Sequence, residues 1–141
     1  MIKSQIAERI IISDENLNWQ ESIQLASQQL IDEGAISPQY VEDMILNVEK
    51  NGSYIVLVPY IALPHARSNG NVFKTSISCL KLTNPVMFPD EQPVSVFFVL
   101  ATNDDSHLDI LGDFADVLSE KEKVEQLKEA KTKQDILAVF N

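Results

Sequence analysis

Apolar residues change their spacing twice along this chain of 141 residues, and each change marks a change of secondary structure. From Trp19 to Val48 they recur every three or four positions. From Tyr54 to Leu100 they fall in short, β-branched runs, and from Leu108 onward the helical spacing returns. Helix, sheet and helix in that order predict an α/β fold, a mixed sheet covered on both faces. With 45% hydrophobic residues the chain supplies one substantial core, and a second independent unit would be cramped, so residues 1–141 read as a single domain.

Asn18 can cap a helix beginning at Trp19, with Glu21 reaching back from the third position. Trp19, Ile23, Ala26 and Leu30 make its apolar stripe, and Gly34 stops it. Ser37-Pro38 then supplies an N-cap followed by proline at the first helical position. Val41, Met44, Ile45 and Val48 recur from there until Asn51-Gly52.

Tyr54 to Val58, bounded by Gly52 and Pro59, reads as a buried strand. Thr75 to Leu82 and Val94 to Leu100 read as two more, separated by the segment carrying Pro85, Pro89 and Pro93. Ile10 to Ile12 fits either a further strand or the tail of an N-terminal helix. Toward the C-terminus, Leu108, Leu111, Ala115 and Leu118 line one helical face after Ser106, and Ser119 to Glu122 can open another helix through a capping box. Val124 and Leu127, then Ile136, Leu137 and Phe140, give the closing helices their apolar faces, with Thr132 and Asp135 as a cap between them.

The formal net charge is −10, so phosphate backbones and anionic membrane surfaces would be repelled and nucleic acid is disfavoured as a partner. Acidity of this size either favours a basic protein partner or simply keeps the chain soluble. Cys79 is the only cysteine, which excludes an intramolecular disulfide, and its setting between Ser78 and Leu80 fits a buried strand residue. No run approaches the roughly 18 apolar residues of a membrane span. Lys3, Glu8 and Arg9 interrupt the N-terminal apolar residues, so no signal-peptide core is expected and the cytoplasm is the expected compartment.

Two histidines carry the chemical interest. His65 stands in Ile61-Ala62-Leu63-Pro64-His65-Ala66-Arg67, where Pro64 fixes its own φ and holds Leu63 extended. An imidazole so presented serves as a nucleophile or acid-base group, or as a structural ring bonded to backbone. His107 follows Thr102-Asn103-Asp104-Asp105-Ser106 and falls in the first turn of the helix running to Leu118. The positive helix end disfavours imidazolium there, and a neutral ring with nearby amides would suit an anion. An exposed histidine near a helix start is the alternative.

Arg67 is the basic group of the His65 motif, either steadying a phosphoryl group or pairing with a carboxylate. A metal held by both histidines with Asp104, Asp105 or Asp109 lacks the short spacing of zinc motifs. Neither a Gly-x-Ser-x-Gly elbow nor a Gly-rich phosphate loop is present. No metal or cofactor is expected.

The stretch from Ser37 to Arg67, with Pro38-Gln39-Tyr40, Asn51-Gly52 and the His65 motif, resembles the mannitol/fructose-type enzyme IIA domains of the bacterial phosphoenolpyruvate-dependent sugar phosphotransferase system. Ser106-His107-Leu108-Asp109-Ile110-Leu111 resembles their second histidine segment, and the likeness extends over essentially the whole chain. Tyr54 to Tyr60, and Ala66-Arg67 after His65, are most similar to the ascorbate-type members.

The resemblance implies the mannitol-type IIA fold, a mixed sheet of about five strands flanked by helices on both faces. It further implies a phosphotransferase in which His65 accepts a phosphoryl group on Nε2 from the histidine phosphocarrier protein HPr, with Nδ1 bonded to backbone. The group would pass to enzyme IIB, which serves a membrane enzyme IIC. His107 would stabilise the phosphoryl group, and Arg67 and Ser106 are the candidates for phosphate binding or docking. By the same resemblance the chain could be a regulatory module whose His65 phosphorylation controls another protein. Mannitol-type members carry an arginine late in the second helix, where this chain reads Asn47-Val48-Glu49-Lys50 with Val48 at the matching place, so Arg67 or Lys50 would have to substitute.

Overall fold

The structure, a computed structural model, describes residues 2–103 and 107–141, the His107 side chain excepted. Elements run α1 (Ile2–Ile6), β1 (Ile10–Ser13), α2 (Trp19–Asp32), α3 (Pro38–Asn51), β2 (Val56–Val58), β3 (Tyr60–Ala62), β4 (Ser76–Met87), β5 (Pro93–Ala101), α4 (His107–Leu118), α5 (Lys121–Glu129) and α6 (Lys133–Val139). The five strands form one sheet in the order β1-β4-β5-β3-β2. β1 is parallel to β4 and β3 to β5, while the β4–β5 and β2–β3 pairs are antiparallel. This is the mixed five-stranded α/β sheet the sequence implied.

Helices cover both faces because β4 and β5 are apolar on both. Leu80, Leu82, Phe97 and Val99 point to one side, where Trp19, Ile23, Leu30, Tyr40, Met44 and Val48 of α2 and α3 pack on them. Ile77, Cys79, Val96 and Phe98 point to the other, beneath α1 and the stripe of α4 to α6. Alternation of Cβ atoms along a strand assigns each neighbour to the opposite layer. Cys79 is fully buried, and burial pushes its thiol pKa up, as its place in a strand predicted.

The capping box of α2 forms as expected, Glu21 N–H donating to Asn18 Oδ1 at 2.7 Å and Asn18 N–H to Glu21 Oε1 at 3.0 Å. Thr132 and Asp135 form a second box on α6. At α3 the N-cap is Ser37, but its hydroxyl donates to Asn71 Oδ1 at 2.7 Å instead of capping the helix. The expected box at Ser119 is absent too. Glu120 is the N-cap of α5, and the Ser119 hydroxyl bonds back to Asp116 O at 2.7 Å.

Three expectations about the strands need correction. Tyr54 to Val58 is no buried strand: the strand is Val56–Val58, at the edge of the sheet, and Tyr54 and Leu57 are each 42% exposed, although Ile55 is buried. A separate strand, β3, lies between it and His65, made possible by a reversal at Pro59 with Tyr60 in the left-handed region at φ +77°. β4 also runs past Leu82 to Met87 through Pro85, because the register shifts between Lys81 and Val86 and the proline needs no ladder hydrogen bond there.

Ile10–Ser13 is a strand, the open alternative resolved by parallel pairing with Cys79 to Leu82. On α4 the buried stripe is Ile110, Phe114 and Leu118. Leu108, 67% exposed, and Ala115 stand outside it, since Phe98 and Phe140 select the face that stacks Phe114 against them.

Candidate functional site

His65 is delivered by the β3 track, and its backbone is held from four directions. Leu63 N–H donates to Ile55 O at 2.8 Å, and Leu100 N–H to Pro64 O at 2.9 Å, so pairing with both neighbours continues past Ala62. The Tyr54 hydroxyl donates to His65 O at 3.1 Å. Ala66 N–H donates to the Tyr40 hydroxyl oxygen at 3.2 Å, and that hydroxyl donates to Leu100 O at 2.6 Å. Two tyrosines thereby replace the ladder bonds a longer strand would have supplied.

Those hydroxyls stay protonated at neutral pH. Burial pushes the Tyr40 phenol up to about 12. Tyr54 is also raised by burial, against the opposing effect of a hydrogen bond with Asn47.

The imidazole is partly buried, with Nδ1 2.6 Å from Leu63 O. A carbonyl only accepts, so Nδ1 carries the proton and the neutral ring has its lone pair on Nε2. Tyr54 meets the ring edge-on, with centroids 5.7 Å apart at 80°. The tautomer is therefore set by Leu63 in the His65 loop itself, and Tyr54, just before β2, packs against the ring. Such a ring can attack an electrophile through Nε2 without losing the bond at Nδ1.

A cleft of about 380 Å³ opens beside this loop, lined by Leu46, Asn47, Lys50, Tyr54, Arg67 and Asn69 among others. Arg67 is exposed and Lys50 is exposed, so two cations flank the approach in a chain of net charge −10. Val48, the position matched in the sequence to the arginine of mannitol-type members, is 1% exposed and packs in the core. The side chain that α3 contributes to the cleft at this level is Asn47.

His107 opens α4, as its sequence position predicted, but its side chain lies outside the described residues. Ser106, with Asp104 and Asp105, lies outside them entirely. β5 pairs with β3, and Leu100 N–H bonds to Pro64 O, so the last residues of β5 run beside the start of the His65 loop. Among the described residues no three His, Cys, Asp or Glu side chains are grouped as metal ligands. The roles of Tyr40 and Tyr54 were missed in the sequence. Tyr40 signalled itself only as a polar-tipped aromatic on a helix face that must be buried.

A five-stranded mixed sheet presents His65 just past the end of β3. The same fold is seen in the Escherichia coli complex of enzyme IIA-mannitol with phosphorylated enzyme IIB-mannitol, with a TM-score of 0.81 at 20% identity, covering 94% of each chain. Residues 6–141 match the family described as "Phosphoenolpyruvate-dependent sugar phosphotransferase system, EIIA 2", and the chain belongs to that family.

Among curated relatives it is 31% identical to the mannitol-specific phosphotransferase enzyme IIA component of Bacillus subtilis, covering 95% of this chain and 94% of the relative. It is 27% identical to the ascorbate-specific PTS system EIIA component of Escherichia coli, covering 99% and 95%. The protein is thus an enzyme IIA component, a phosphotransferase that works through phosphohistidine. The two sugar types stand equally near.

Proposed function

We propose that His65 is the phosphorylated residue, that it takes the phosphoryl group from HPr on Nε2, and that the enzyme IIB served belongs to an L-ascorbate-type system. The observation that carries the first part is the 2.6 Å contact of Nδ1 with Leu63 O, which leaves Nε2 as the nucleophilic nitrogen of a ring held in one tautomer. In-line attack by Nε2 on the phosphohistidine of the donor forms the new P–N bond as the old one breaks, and the donor imidazole leaves. The reverse geometry hands the group to enzyme IIB. Such transfer needs alignment and charge stabilisation rather than covalent help.

Arg67 and Lys50 at the mouth of the cleft support a role as counter-charges, and His107 at the start of α4 is assigned to the equatorial oxygens, with Ser106 beside it. The ascorbate assignment rests on the Tyr54 to Tyr60 segment and on Ala66-Arg67. The cytoplasm is the compartment where HPr would meet it. No helix among the described residues is long and apolar enough to cross a membrane. The membrane step is assigned to an enzyme IIC of the same system.

The test is a reconstituted relay of phosphoenolpyruvate, enzyme I, HPr, this chain and candidate enzyme IIB proteins. His65→Ala is expected to abolish labelling, and His107→Gln to retain acceptance while slowing onward transfer. Undiminished labelling of His65→Ala would refute the assignment. Transfer to a mannitol-type but not an ascorbate-type enzyme IIB would overturn the sugar class, and transfer to neither would favour a regulatory role.

A further inference from the structure

A second cleft, of about 590 Å³, lies on the α4–α6 face of the sheet and is lined by Ile12, Lys81, Thr83, Lys128, Glu129 and Lys131, with Ala130. It is away from His65. Lys81 is level with Val96 on β5 and hence with Ile61 on β3, whereas His65 lies beyond the level of Leu100. Lys128 stands over the ring of Tyr60, the first residue of β3, 4.4 Å from its centroid.

Lys81 is the unusual member. Strand alternation aims it at the same layer as Ile77 and Cys79, and it is 7% exposed in a position that otherwise calls for an apolar side chain. Its Nζ donates to Leu82 O at 3.2 Å. Among the described residues no carboxylate lies within ion-pair distance of it, although it lines the cleft. A buried cation without a counter-charge is costly, and burial accordingly lowers its pKa.

The surrounding charge points the same way. The lining brings three ammonium groups against the single carboxylate of Glu129; of the three, Lys128 forms a salt bridge, with Glu125 Oε1 at 3.2 Å, and Lys131 also feels the Asp135 carboxylate. Concentrating three of eleven basic residues at one cleft in a chain of net charge −10 opposes the general field of the protein. Thr83 adds a hydroxyl, and Ile12, paired with Lys81 in register, adds an apolar wall. The volume lies within the range of small-molecule sites.

We infer that this cleft binds a small organic anion, its phosphate or carboxylate oxygens held by Lys81 with Lys128 and Lys131. The anion would supply the counter-charge Lys81 lacks, through charge-assisted hydrogen bonds. This site is separate from the transfer chemistry and stands or falls without it.

Amide chemical shifts of the full chain, titrated separately with inorganic phosphate, pyrophosphate and citrate, test it. Saturable shifts are expected at Ile12, Thr83 and Ala130. Lys81→Met should weaken binding about tenfold or more, equivalent to about 1.4 kcal/mol. If Lys81→Met does not fold, Lys131→Gln on the exposed rim should weaken binding severalfold. Preference for the phosphates or for citrate distinguishes the two headgroups. Non-saturating shifts with all three anions, affinity unchanged by the lysine substitutions, or binding abolished by His65→Ala would each overturn the site.

Discussion

The central pair β4–β5 and the edge ribbon β2–β3 are held together by different physics. β5 is buried along nearly its whole length and carries Phe97 and Phe98 into opposite cores. β2 and β3 have three residues each, irregular register and a tyrosine at φ +77°. The ribbon relies on hydrogen bonds, from Tyr40 and Tyr54 to the His65 loop. The stable pair can supply a frame because hydrophobic burial is non-directional and large, whereas presenting one ring at one angle requires directional contacts.

Substitutions should separate the two regions sharply. Phe98→Ala removes a ring stacked on Phe114 and Phe140 and should cost about 3–5 kcal/mol. A denaturant midpoint that barely moves would show that the central pair is not the frame. Tyr40→Phe leaves Leu100 O and Ala66 N–H without their hydroxyl partner and should cost about 1–3 kcal/mol, with slower phosphorylation of the chain.

Tyr54→Phe should cost about 1 kcal/mol or less in stability yet still slow transfer, because it frees His65 O while keeping the aromatic contact. Equal loss of stability and rate in this variant would erase the distinction between frame and ribbon. The rate is read in the reconstituted relay, the stability by urea titration.

The smallest effect lies at the Arg9–Glu33 ion pair, which joins the residue before β1 to the C-cap of α2. Arg9 donates to both carboxylate oxygens of Glu33 and holds its pKa below the ordinary 4.5, so the pair's contribution is fully present above that value and is lost as pH falls through the lower folded value. Glu33→Gln should lose about 1 kcal/mol at most at neutral pH, and the difference from the native chain should shrink below pH 4.5.

Legibility in the sequence followed the same division. Helices α2 and α3 were readable to their ends because Asn18, Gly34, Pro38 and Gly52 act on local backbone geometry. β5 was readable because burial on both faces leaves an apolar run broken only by Ser95. β3 was not, since three residues after a proline show no period, and pairing with β5 alone makes them a strand. The face of α4 was misread by one position because Leu108 and Ala115 satisfy the spacing as well as Ile110 and Phe114 do, and only the rings of Phe98 and Phe140 decide between them.

By itself, then, the sequence determined the layer order, the caps of α2 and α6, the burial of Cys79 and the placing of His65 after an extended, proline-fixed segment. These depend on interactions among residues a few positions apart. The tertiary structure alone decided that Nδ1 of His65 faces Leu63 O, that Tyr40 and Tyr54 brace the loop, that Asn47 rather than Val48 lines the cleft, and that Lys81 is buried beside Lys128 and Lys131. The first is a contact between residues two apart whose ring angle depends on the backbone path, and the others join residues brought together by sheet pairing or helix packing; such partnerships leave no periodic trace along the chain.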